Sequence, residues 1–213
     1  ITMDKYTAKL IARDIGVPTA DFIVMHYNMI EDYNTDEDLM GFLSNLGLPV
    51  VVKPNDGGSS VGVSIVKQVD ELKPAVELAF RESNVVLVEK YIAGAEFAVT
   101  VLEGKALPVV EIKPVEGWYD YTNKYTEGKT VYVAPAEIDP ALSRLLQVYA
   151  TRLWQAFDLK GYARVDFLYD GDQAWFLEAN TLPGMTSLSL TPMAAKTVGI
   201  DFAKLLEIII NNA

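Results

Sequence analysis

Two segments of the chain carry apolar residues at helical spacing. The first, residues 4–15, places its apolar positions on one helical face and ends before Gly16. The second begins at Asp139 and Pro140, a favourable N-cap and first-turn pair. Its apolar face comprises Leu142, Leu145, Leu146, Tyr149, Leu153, Trp154 and Phe157. This spacing predicts a long helix that packs on a sheet. Shorter helices are predicted over residues 70–83 and from residue 201 onward.

Short apolar runs predict strands. The first three are single strands, and the last four form two hairpins. They span residues 49–54, 63–66, 85–88, 96–102 with 106–112, and 162–169 with 174–177. Strands and helices alternate without a strict βαβ repeat, which predicts an α+β fold. We expect two such layers, each an antiparallel or mixed sheet with helices on one face. The boundary is expected near Lys90, which gives domains of residues 1–89 and 90–213.

Composition and charge narrow the classes of function. Among 213 residues, 18 Lys and Arg oppose 29 Asp and Glu, and the net charge of −11 repels phosphate backbones and anionic membranes. The chain has no cysteine and one histidine, which excludes disulfides, thiol nucleophiles, cysteine zinc sites and histidine-rich metal sites. No apolar run reaches membrane-spanning length and no signal-peptide pattern opens the chain. We therefore expect a soluble cytoplasmic protein without nucleic-acid or membrane partners.

A glycine-rich turn, Asn55-Asp56-Gly57-Gly58-Ser59-Ser60-Val61-Gly62, joins two predicted strands. Most such turns are simply tight hairpins. This one lacks the lysine of a P-loop and the GxGxxG pattern, and a strand rather than a helix follows it. A second interpretation is a flap whose backbone N–H groups cover phosphate oxygens, with Lys53 as a nearby positive charge. The turn by itself favours neither.

Charged residues follow the apolar strand 85–88. Glu89 and Lys90 end the run, and Glu96 comes shortly after. One interpretation is that the chain simply leaves the sheet here. The other is that a strand end with exposed backbone amides and a carboxylate suits an adenine edge and a ribose diol.

The strongest local signal lies in the two last predicted strands. Arg164 and Asp166 are two apart, as are Glu178 and Asn180, so each pair lies on one face of its strand. A three-residue hairpin loop would pair Tyr169 with Gln173 and Asp166 with Phe176, which puts Asp166 and Glu178 on the same face, whereas a two-residue loop would separate them. The alternative is a surface salt bridge between Arg164 and Glu178.

Carboxylate and amide oxygens are hard ligands that suit Mg²⁺, which binds through few carboxylates together with substrate phosphates. Without cysteine or a second histidine, a hard oxygen site of Asp166, Glu178 and Asn180 is the metal site that this composition allows. A loop of small residues, 181–187, follows Asn180 and offers many hydrogen-bond donors.

Taken together, these stretches resemble the ATP-grasp superfamily and, within it, the D-alanine:D-alanine ligases of bacterial cell-wall synthesis. The matching stretches occur in the family's order: Met3-Asp4-Lys5, Val52-Lys53-Pro54, Gly58-Ser59-Ser60-Val61-Gly62, Glu89-Lys90-Tyr91-Ile92, Tyr119-Asp120-Tyr121, Lys124-Tyr125, Arg164-Val165-Asp166, Leu177-Glu178-Ala179-Asn180-Thr181, Pro183-Gly184-Met185-Thr186-Ser187 and Ser189-Leu190. The resemblance implies an ATP-grasp fold, in which two α+β subdomains clasp the nucleotide between them, the first carrying the glycine-rich flap and the second the metal and substrate sites.

The resemblance also implies a role for each matching residue. Nucleotide would be bound by Lys5, Lys53, Ser60, Glu89, Lys90, Ile92, Glu96 and Lys124. Asp166, Glu178 and Asn180 would hold two Mg²⁺ or Mn²⁺ ions. Arg164 and the Gly184 N–H would stabilise the tetrahedral oxyanion, and Ser189 and the Leu190 N–H would bind the carboxylate of the second substrate.

The implied reaction is the joining of two D-alanines at the expense of ATP, through an acyl phosphate. Residues 118–129, which show no clean period, would form a loop that closes over the site. Tyr125 of this loop would hydrogen-bond Ser59, and the pair Lys124-Tyr125 favours an amine over the hydroxy acid used by D-lactate ligases.

Family members carry an N-terminal α/β domain before the Met-Asp-Lys motif, and this chain begins at that motif. That domain would supply part of the first D-alanine site and most of a homodimer interface, so we expect this chain alone to bind ATP and Mg²⁺ but to ligate weakly or not at all. A D-alanine:D-lactate ligase, another ATP-grasp carboxylate:amine ligase and a non-catalytic nucleotide-binding module are the alternatives.

Overall fold

The structure, a computed structural model, describes residues 1–32, 35–58, 60–115, 126, 128–186 and 189–211. It divides into two compact units. The N-terminal unit comprises Met3–Tyr6 and Ala20–Ile92, and the C-terminal unit comprises Ile1–Thr2, Thr7–Thr19 and Ala93–Ala213. The first helix, α1 (Lys5–Asp14), therefore belongs to the C-terminal unit from Thr7 onward. The division into functional domains at residues 89 and 90 stays a prediction.

The N-terminal unit is built on a four-stranded antiparallel sheet with two helices. Its elements are β1 (Phe22–His26), α2 (Asp36–Phe42), β2 (Val50–Pro54), β3 (Ser64–Val66), α3 (Leu72–Ala79) and β4 (Val85–Lys90). The strand order is β1-β4-β2-β3. Alternate residues of β2 and β4, such as Val52 and Val88, are buried in one apolar core with Leu39 and Leu72 of the helices. The alternation directs Lys53 and Glu89 to the opposite face of the sheet.

The C-terminal unit is built on a six-stranded antiparallel sheet. Its further elements are β5 (Ala95–Leu102), β6 (Lys105–Ala106), β7 (Val110–Pro114), β8 (Thr130–Val133), α4 (Pro140–Ala156), β9 (Tyr162–Tyr169), β10 (Ala174–Asn180), α5 (Leu190–Thr197) and α6 (Phe202–Asn211). The strand order is β10-β9-β5-β7-β8, with β6 paired to β5.

Helices cover both faces of this second sheet. One face packs on α1 and on α4, whose predicted apolar positions Leu146, Leu153 and Trp154 are buried there. The other face packs on α5 and α6. The prediction of helices on one face only is therefore wrong for this unit, because α5 and α6 form a second helical layer. The apolar pattern did not predict α5.

The α+β class and the antiparallel sheets are confirmed, and most predicted elements appear close to their expected bounds. Asp139 caps α4 as expected, since its Oδ1 accepts from the Ala141 N–H at 2.7 Å. Three predicted elements differ in extent. The strand predicted over 174–177 continues to Asn180. The helix predicted over 70–83 ends at Ala79, and the strand predicted over 106–112 is broken at Pro108, which has no N–H to donate, into β6 and β7.

Elements for which the apolar pattern made no prediction are β1, α2, β8 and α5. Among the described residues, no helix is long and apolar enough to cross a bilayer.

Candidate active site

The register of the hairpin β9–β10 determines which side chains meet. Tyr169 pairs with Ala174 and Phe167 with Phe176, so four residues, 170–173, form the loop. The predicted three-residue loop, with Tyr169 opposite Gln173, is wrong. If this register continued without interruption, Asp166 would lie opposite Leu177, and Glu178 would lie on the other face of the sheet from Asp166.

A β-bulge at Leu177 shifts the register, so that the residues after it lie on the opposite face from the one that a regular pairing would give them. Beyond it, Glu178 pairs with Asp166 and Asn180 with Arg164. Residues that pair directly across an antiparallel ladder lie on the same face. The bulge therefore brings together the four side chains that the sequence singled out, Arg164, Asp166, Glu178 and Asn180, on the sheet face opposite α4.

The hairpin loop is held by the carboxylate of Asp170. Its Oδ1 accepts from the backbone N–H groups of Gln173 at 2.8 Å and Asp172 at 3.0 Å, and its Oδ2 accepts from the Trp175 indole N–H at 2.8 Å. These bonds, with that from Gln173 the strongest, hold the pKa of Asp170 below its ordinary value. The charged form of Asp170 thus stabilises the loop from which the register starts.

Arg164 and Asp166 form a buried bidentate pair. Arg164 Nε lies 2.7 Å from Asp166 Oδ1, and a terminal guanidinium nitrogen lies 2.7 Å from Oδ2. Arg164 is 7% exposed and Asp166 is 3% exposed. The alternative of a surface salt bridge does not describe this arrangement, because the guanidinium is buried and aligned with Asp166.

Asn180 joins the two carboxylates. Its Nδ2 donates to Asp166 Oδ2 at 3.0 Å and to Glu178 Oε1 at 3.2 Å. The two carboxylate oxygens therefore converge on the Asn180 amide group. Their negative charges would also attract a cation to that position. Rotation of the amide group by half a turn would present its oxygen to that point. Two carboxylates and an amide fit a hard divalent ion such as Mg²⁺.

Glu96 shares a face with this cluster. In the pairing of β5 with β9, Ala98 lies opposite Asp166 and Glu96 opposite Leu168. Alternation along β5 puts Glu96 on the same side as Ala98 and therefore as Asp166.

Gly184 and Ser189 lie close together ahead of α5. The Thr186 N–H donates to Ser189 Oγ at 3.1 Å, and the two hydroxyl oxygens are 2.9 Å apart. A Cβ at Gly184 would stand 3.0 Å from Ser189 Oγ, so the close approach favours glycine. Ser189 is the N-cap residue of α5 and Leu190 is its first residue.

In the N-terminal unit, Lys53 and Glu89 form a buried ion pair. Lys53 Nζ lies 2.8 Å from Glu89 Oε1, and both side chains are more than nine-tenths buried. They stand diagonally on adjacent strands, since Lys53 pairs with Leu87 and Val51 with Glu89. Each charge therefore orients the other on the face of the sheet opposite α2 and α3.

Lys5 lies against the glycine-rich turn. Its Nζ donates to the Gly57 carbonyl at 3.0 Å, and its backbone N–H donates to the Asn55 carbonyl at 3.1 Å. Asn55 holds this segment in place: its side chain accepts from the Tyr6 N–H and donates to Asp4. This role of Asn55 was not predicted, although an asparagine directly after an apolar strand is a signal for one.

The remaining predicted nucleotide residues in this unit lie on the same turn and at the end of β4. Ser60 adopts a φ of 58°, in the left-handed region, within the turn. The Lys90 N–H donates to the Asp21 carbonyl at 2.8 Å, and Ile92 follows, half-buried. Ser59, Lys124 and Tyr125, with most of the predicted closing loop, lie outside the described residues.

Comparison with known proteins finds one family model and several solved structures. The family described as the D-ala D-ala ligase C-terminus matches residues 11–211. A D-alanine–D-alanine ligase of Actinobacillus pleuropneumoniae serotype 5b is 41% identical over 97% of this chain, which spans 66% of that relative's length. A crystal structure of the Bacillus anthracis D-alanine–D-alanine ligase complexed with ATP has a TM-score of 0.82 at 36% identity, covering 99% of this chain and 65% of that one.

The VanG D-Ala:D-Ser ligase of Enterococcus faecalis has a TM-score of 0.86 at 32% identity, covering 99% of this chain and 61% of that one. These similarities confirm the ATP-grasp fold that the motifs predicted. Because the family match extends over nearly the whole sequence, the chain belongs to the D-Ala–D-Ala ligase family, in the part described as the ligase C-terminus.

Proposed function

We propose that this chain is the ATP-binding and catalytic part of a ligase that joins two D-alanines to D-alanyl-D-alanine for peptidoglycan synthesis in the cytoplasm. ATP would transfer its γ-phosphoryl group to the carboxylate of the first D-alanine, which gives an acyl phosphate and ADP. The amine of the second D-alanine would then attack the carbonyl carbon and phosphate would leave. Family membership and the ATP complex of the B. anthracis relative support the proposal.

The observation that carries it is the cluster of Arg164, Asp166, Glu178 and Asn180. Phosphoryl transfer requires positioning and charge far more than covalent help from the protein. A buried guanidinium next to two converging carboxylates supplies both requirements on one rigid hairpin. A plain structural hairpin would gain nothing from burying these charges.

Arg164 would stabilise the negative oxygen that develops on the tetrahedral carbon, together with the Gly184 N–H. Asp166 holds the guanidinium in one orientation through two bonds of 2.7 Å, so that little reorganisation is needed during the reaction. Loss of one such donor typically costs about 3 kcal/mol of transition-state stabilisation.

Asp166, Glu178 and Asn180 would hold Mg²⁺ or Mn²⁺, two ions in all. A divalent ion held there would neutralise charge on the phosphate oxygens. The convergence of Asp166 Oδ2 and Glu178 Oε1 on the Asn180 amide group supports this assignment.

Eight residues would bind the nucleotide. Lys5 and Lys53, with Lys124, would reach the phosphates, and Ser60 would lie in the turn that covers them. Glu89, the Lys90 carbonyl and the Ile92 N–H would hold adenine, and Glu96 the ribose. The ion pair between Lys53 and Glu89 supports a pre-oriented site, because neither side chain must be ordered when the ligand binds.

Ser189 and the Leu190 N–H would bind the carboxylate of the second substrate. Tyr125 and Ser59 would hydrogen-bond each other when the loop closes. The similarity to a D-Ala:D-Ser ligase favours, as the second candidate, a ligase that takes a different amino acid in this position. A D-lactate ligase and a nucleotide-binding module without catalysis are the remaining alternatives.

The relatives are longer than this chain, which spans 66% of the curated ligase. We propose that the additional N-terminal domain of the family completes the first D-alanine site and forms most of a homodimer interface. The chain alone would accordingly bind ATP with its metal ion but release phosphate slowly.

The test is calorimetric titration of the chain with ATP, with and without Mg²⁺, followed by a phosphate-release assay with D-alanine. Glu178→Gln removes one ligand charge, and we expect it to weaken Mg²⁺-dependent ATP binding at least tenfold. Glu207→Gln is the matched control, since Glu207 is exposed and pairs only with the nearby Lys204 among the ion pairs of the described residues.

Mg²⁺-dependent binding that Glu178→Gln weakens and Glu207→Gln leaves unchanged supports the proposal. Absence of ATP binding, or binding that ignores both Mg²⁺ and Glu178, contradicts it. Phosphate release that requires D-serine or D-lactate rather than D-alanine would establish one of the alternative substrates.

A further inference from the structure

Two threonine hydroxyls form a buried contact beside the candidate active site. Thr100 Oγ1 of β5 lies 3.1 Å from Thr191 Oγ1 of α5, within hydrogen-bond distance. Thr100 is 2% exposed and Thr191 is fully buried. No motif of the sequence pointed to either residue.

The surroundings of this pair are apolar. The core on this face of the sheet is formed by Ala98, Leu102, Val110, Leu190, Ala194 and Ala195, with further apolar residues around it. Apolar contacts hold α5 against the sheet but are non-directional. A hydrogen bond, by contrast, requires a defined distance and angle. The threonine pair is therefore suited to determine where the first turn of α5 sits.

Both partners stand next to groups that the proposed function uses. Thr100 pairs directly with Arg164 in the β5–β9 ladder. Thr191 is the second residue of α5, directly after Leu190 and two residues after Ser189. The hydroxyl contact thus joins the strand beside the buried guanidinium to the helix end that carries Ser189 and Leu190.

We propose that Thr100 and Thr191 are positioning residues that fix the N-terminal turn of α5 relative to Arg164, and so fix where the carboxylate of the second amino acid is bound. The part that concerns the substrate rests on the proposed function. The part that concerns the position of α5 does not, and the two are separable by experiment.

The experiment compares wild type with Thr100→Val, Thr191→Val, the double variant and Thr191→Ser. Valine keeps the shape of threonine and removes the hydroxyl. Each single valine variant leaves one buried hydroxyl without its partner and should melt at a lower temperature. The double variant removes both hydroxyls and should regain most of that stability, because no buried polar group is left without its partner. Stability and positioning therefore separate in the double variant.

Positioning is measured by amide hydrogen exchange, followed by NMR, at two bonds that define the turn. The Ser189 N–H donates to the Thr186 carbonyl at 2.9 Å, and the Met193 N–H donates to the Ser189 carbonyl at 3.1 Å. We expect both amides to exchange at least tenfold faster in Thr191→Val and in the double variant, and near the wild-type rate in Thr191→Ser. Amides of α4, on the other face of the sheet, are the internal reference and should not change.

A double variant with wild-type exchange at Ser189 and Met193 overturns the proposal, since the threonines would then serve packing alone. Equal acceleration in α4 also overturns it, because the effect would be a general loss of stability. Titration with D-alanine, read at the Ser189 and Leu190 amides, tests the substrate part: the double variant should bind at least fivefold more weakly than wild type. If wild type shows no D-alanine shift, the proposed function fails at this position, while the exchange rates still decide whether the threonines position α5.

Discussion

At the scale of single residues, Gly94 is the glycine that has the least room for a side chain in the part of the chain that the structure describes. A Cβ there would lie 3.0 Å from Asp170 Cα and closer still to the carbonyl group of Tyr169. These are backbone atoms at the end of β9, so they cannot move aside as a side chain would. Gly94→Ala should therefore destabilise the protein by roughly 2–3 kcal/mol, measured by urea unfolding.

The matched control is Gly41→Ala, because nothing lies within 4 Å of a Cβ at Gly41 in helix α2. There alanine should stabilise by about 0.5–1 kcal/mol, since glycine costs more backbone entropy in a helix. Equal stability changes for the two variants would show that the crowding at Gly94 has no energetic effect.

Asp170 makes the stability of the folded chain depend on pH, and the direction of this dependence follows from its lowered pKa. Its pKa in the folded chain lies below the ordinary value of 3.8, chiefly through the Gln173 and Asp172 N–H groups and also through the Trp175 indole. Its contribution to stability is therefore complete above that value and is lost as the pH falls through the folded pKa. The NMR resonance of the Trp175 indole N–H should titrate with a midpoint below 3.8.

Asp170→Asn should abolish this titration and loosen the hairpin, whereas Asp172→Asn, a neighbouring exposed aspartate, should leave the titration in place. A midpoint at or above 3.8 in wild type would contradict the role given to the Asp170 carboxylate.

At the scale of elements, the β-bulge at Leu177 decides whether a site exists. It places Glu178 and Asn180 on the face of Asp166, and Ala179 between them in the core. If Leu177 instead paired regularly with Asp166, the two polar side chains would point into the apolar core beside α4. Local irregularity in one strand thus converts a structural hairpin into a cluster of functional groups.

The pairing of β2 with β4 gives a second prediction at this scale. Lys53 and Glu89 are 7% and 4% exposed at their side chains and 2.8 Å apart. Lys53→Met removes a buried charge from beside a buried carboxylate, and should cost about 3–5 kcal/mol in the free energy of unfolding. The double variant Lys53→Met, Glu89→Leu should recover much of this loss, since no buried charge then remains at the pair.

Chemical unfolding of the two variants and of wild type measures these differences. A single variant within about 1 kcal/mol of wild type would place the ion pair among weak surface interactions, for which such values are typical. ATP titration of the double variant would show separately whether the pair also serves the nucleotide.

At the scale of the whole molecule, the net charge predicts which large partners the chain does not bind. With a net charge of −11, the chain should not bind duplex DNA or vesicles of anionic lipid at about 0.1 M salt. Fluorescence anisotropy with labelled DNA and vesicle sedimentation measure this. Salt-sensitive binding to either would reveal a basic surface that the net charge conceals.

Much of the fold followed from local pattern. The strong 3.6-residue period of α4 and the short apolar runs of β2, β4 and β9 are properties of neighbouring residues, and they predicted these elements close to their observed bounds. The elements β1, β8 and α5 were not predicted, because short segments owe their structure to the sheet and core they join rather than to their own period.

The candidate site divides in the same way. The residue types, their order and the shared face of Arg164 and Asp166 could be predicted from the sequence, because alternation is a local property of extended backbone. The position of Glu178 and Asn180 beside them depends on the folded hairpin, through a bulge whose register no local pattern specifies. The tertiary structure alone brought Thr100 to Thr191 and Lys53 to Glu89, since contacts between residues far apart in sequence depend on how the strands pair and the helices pack.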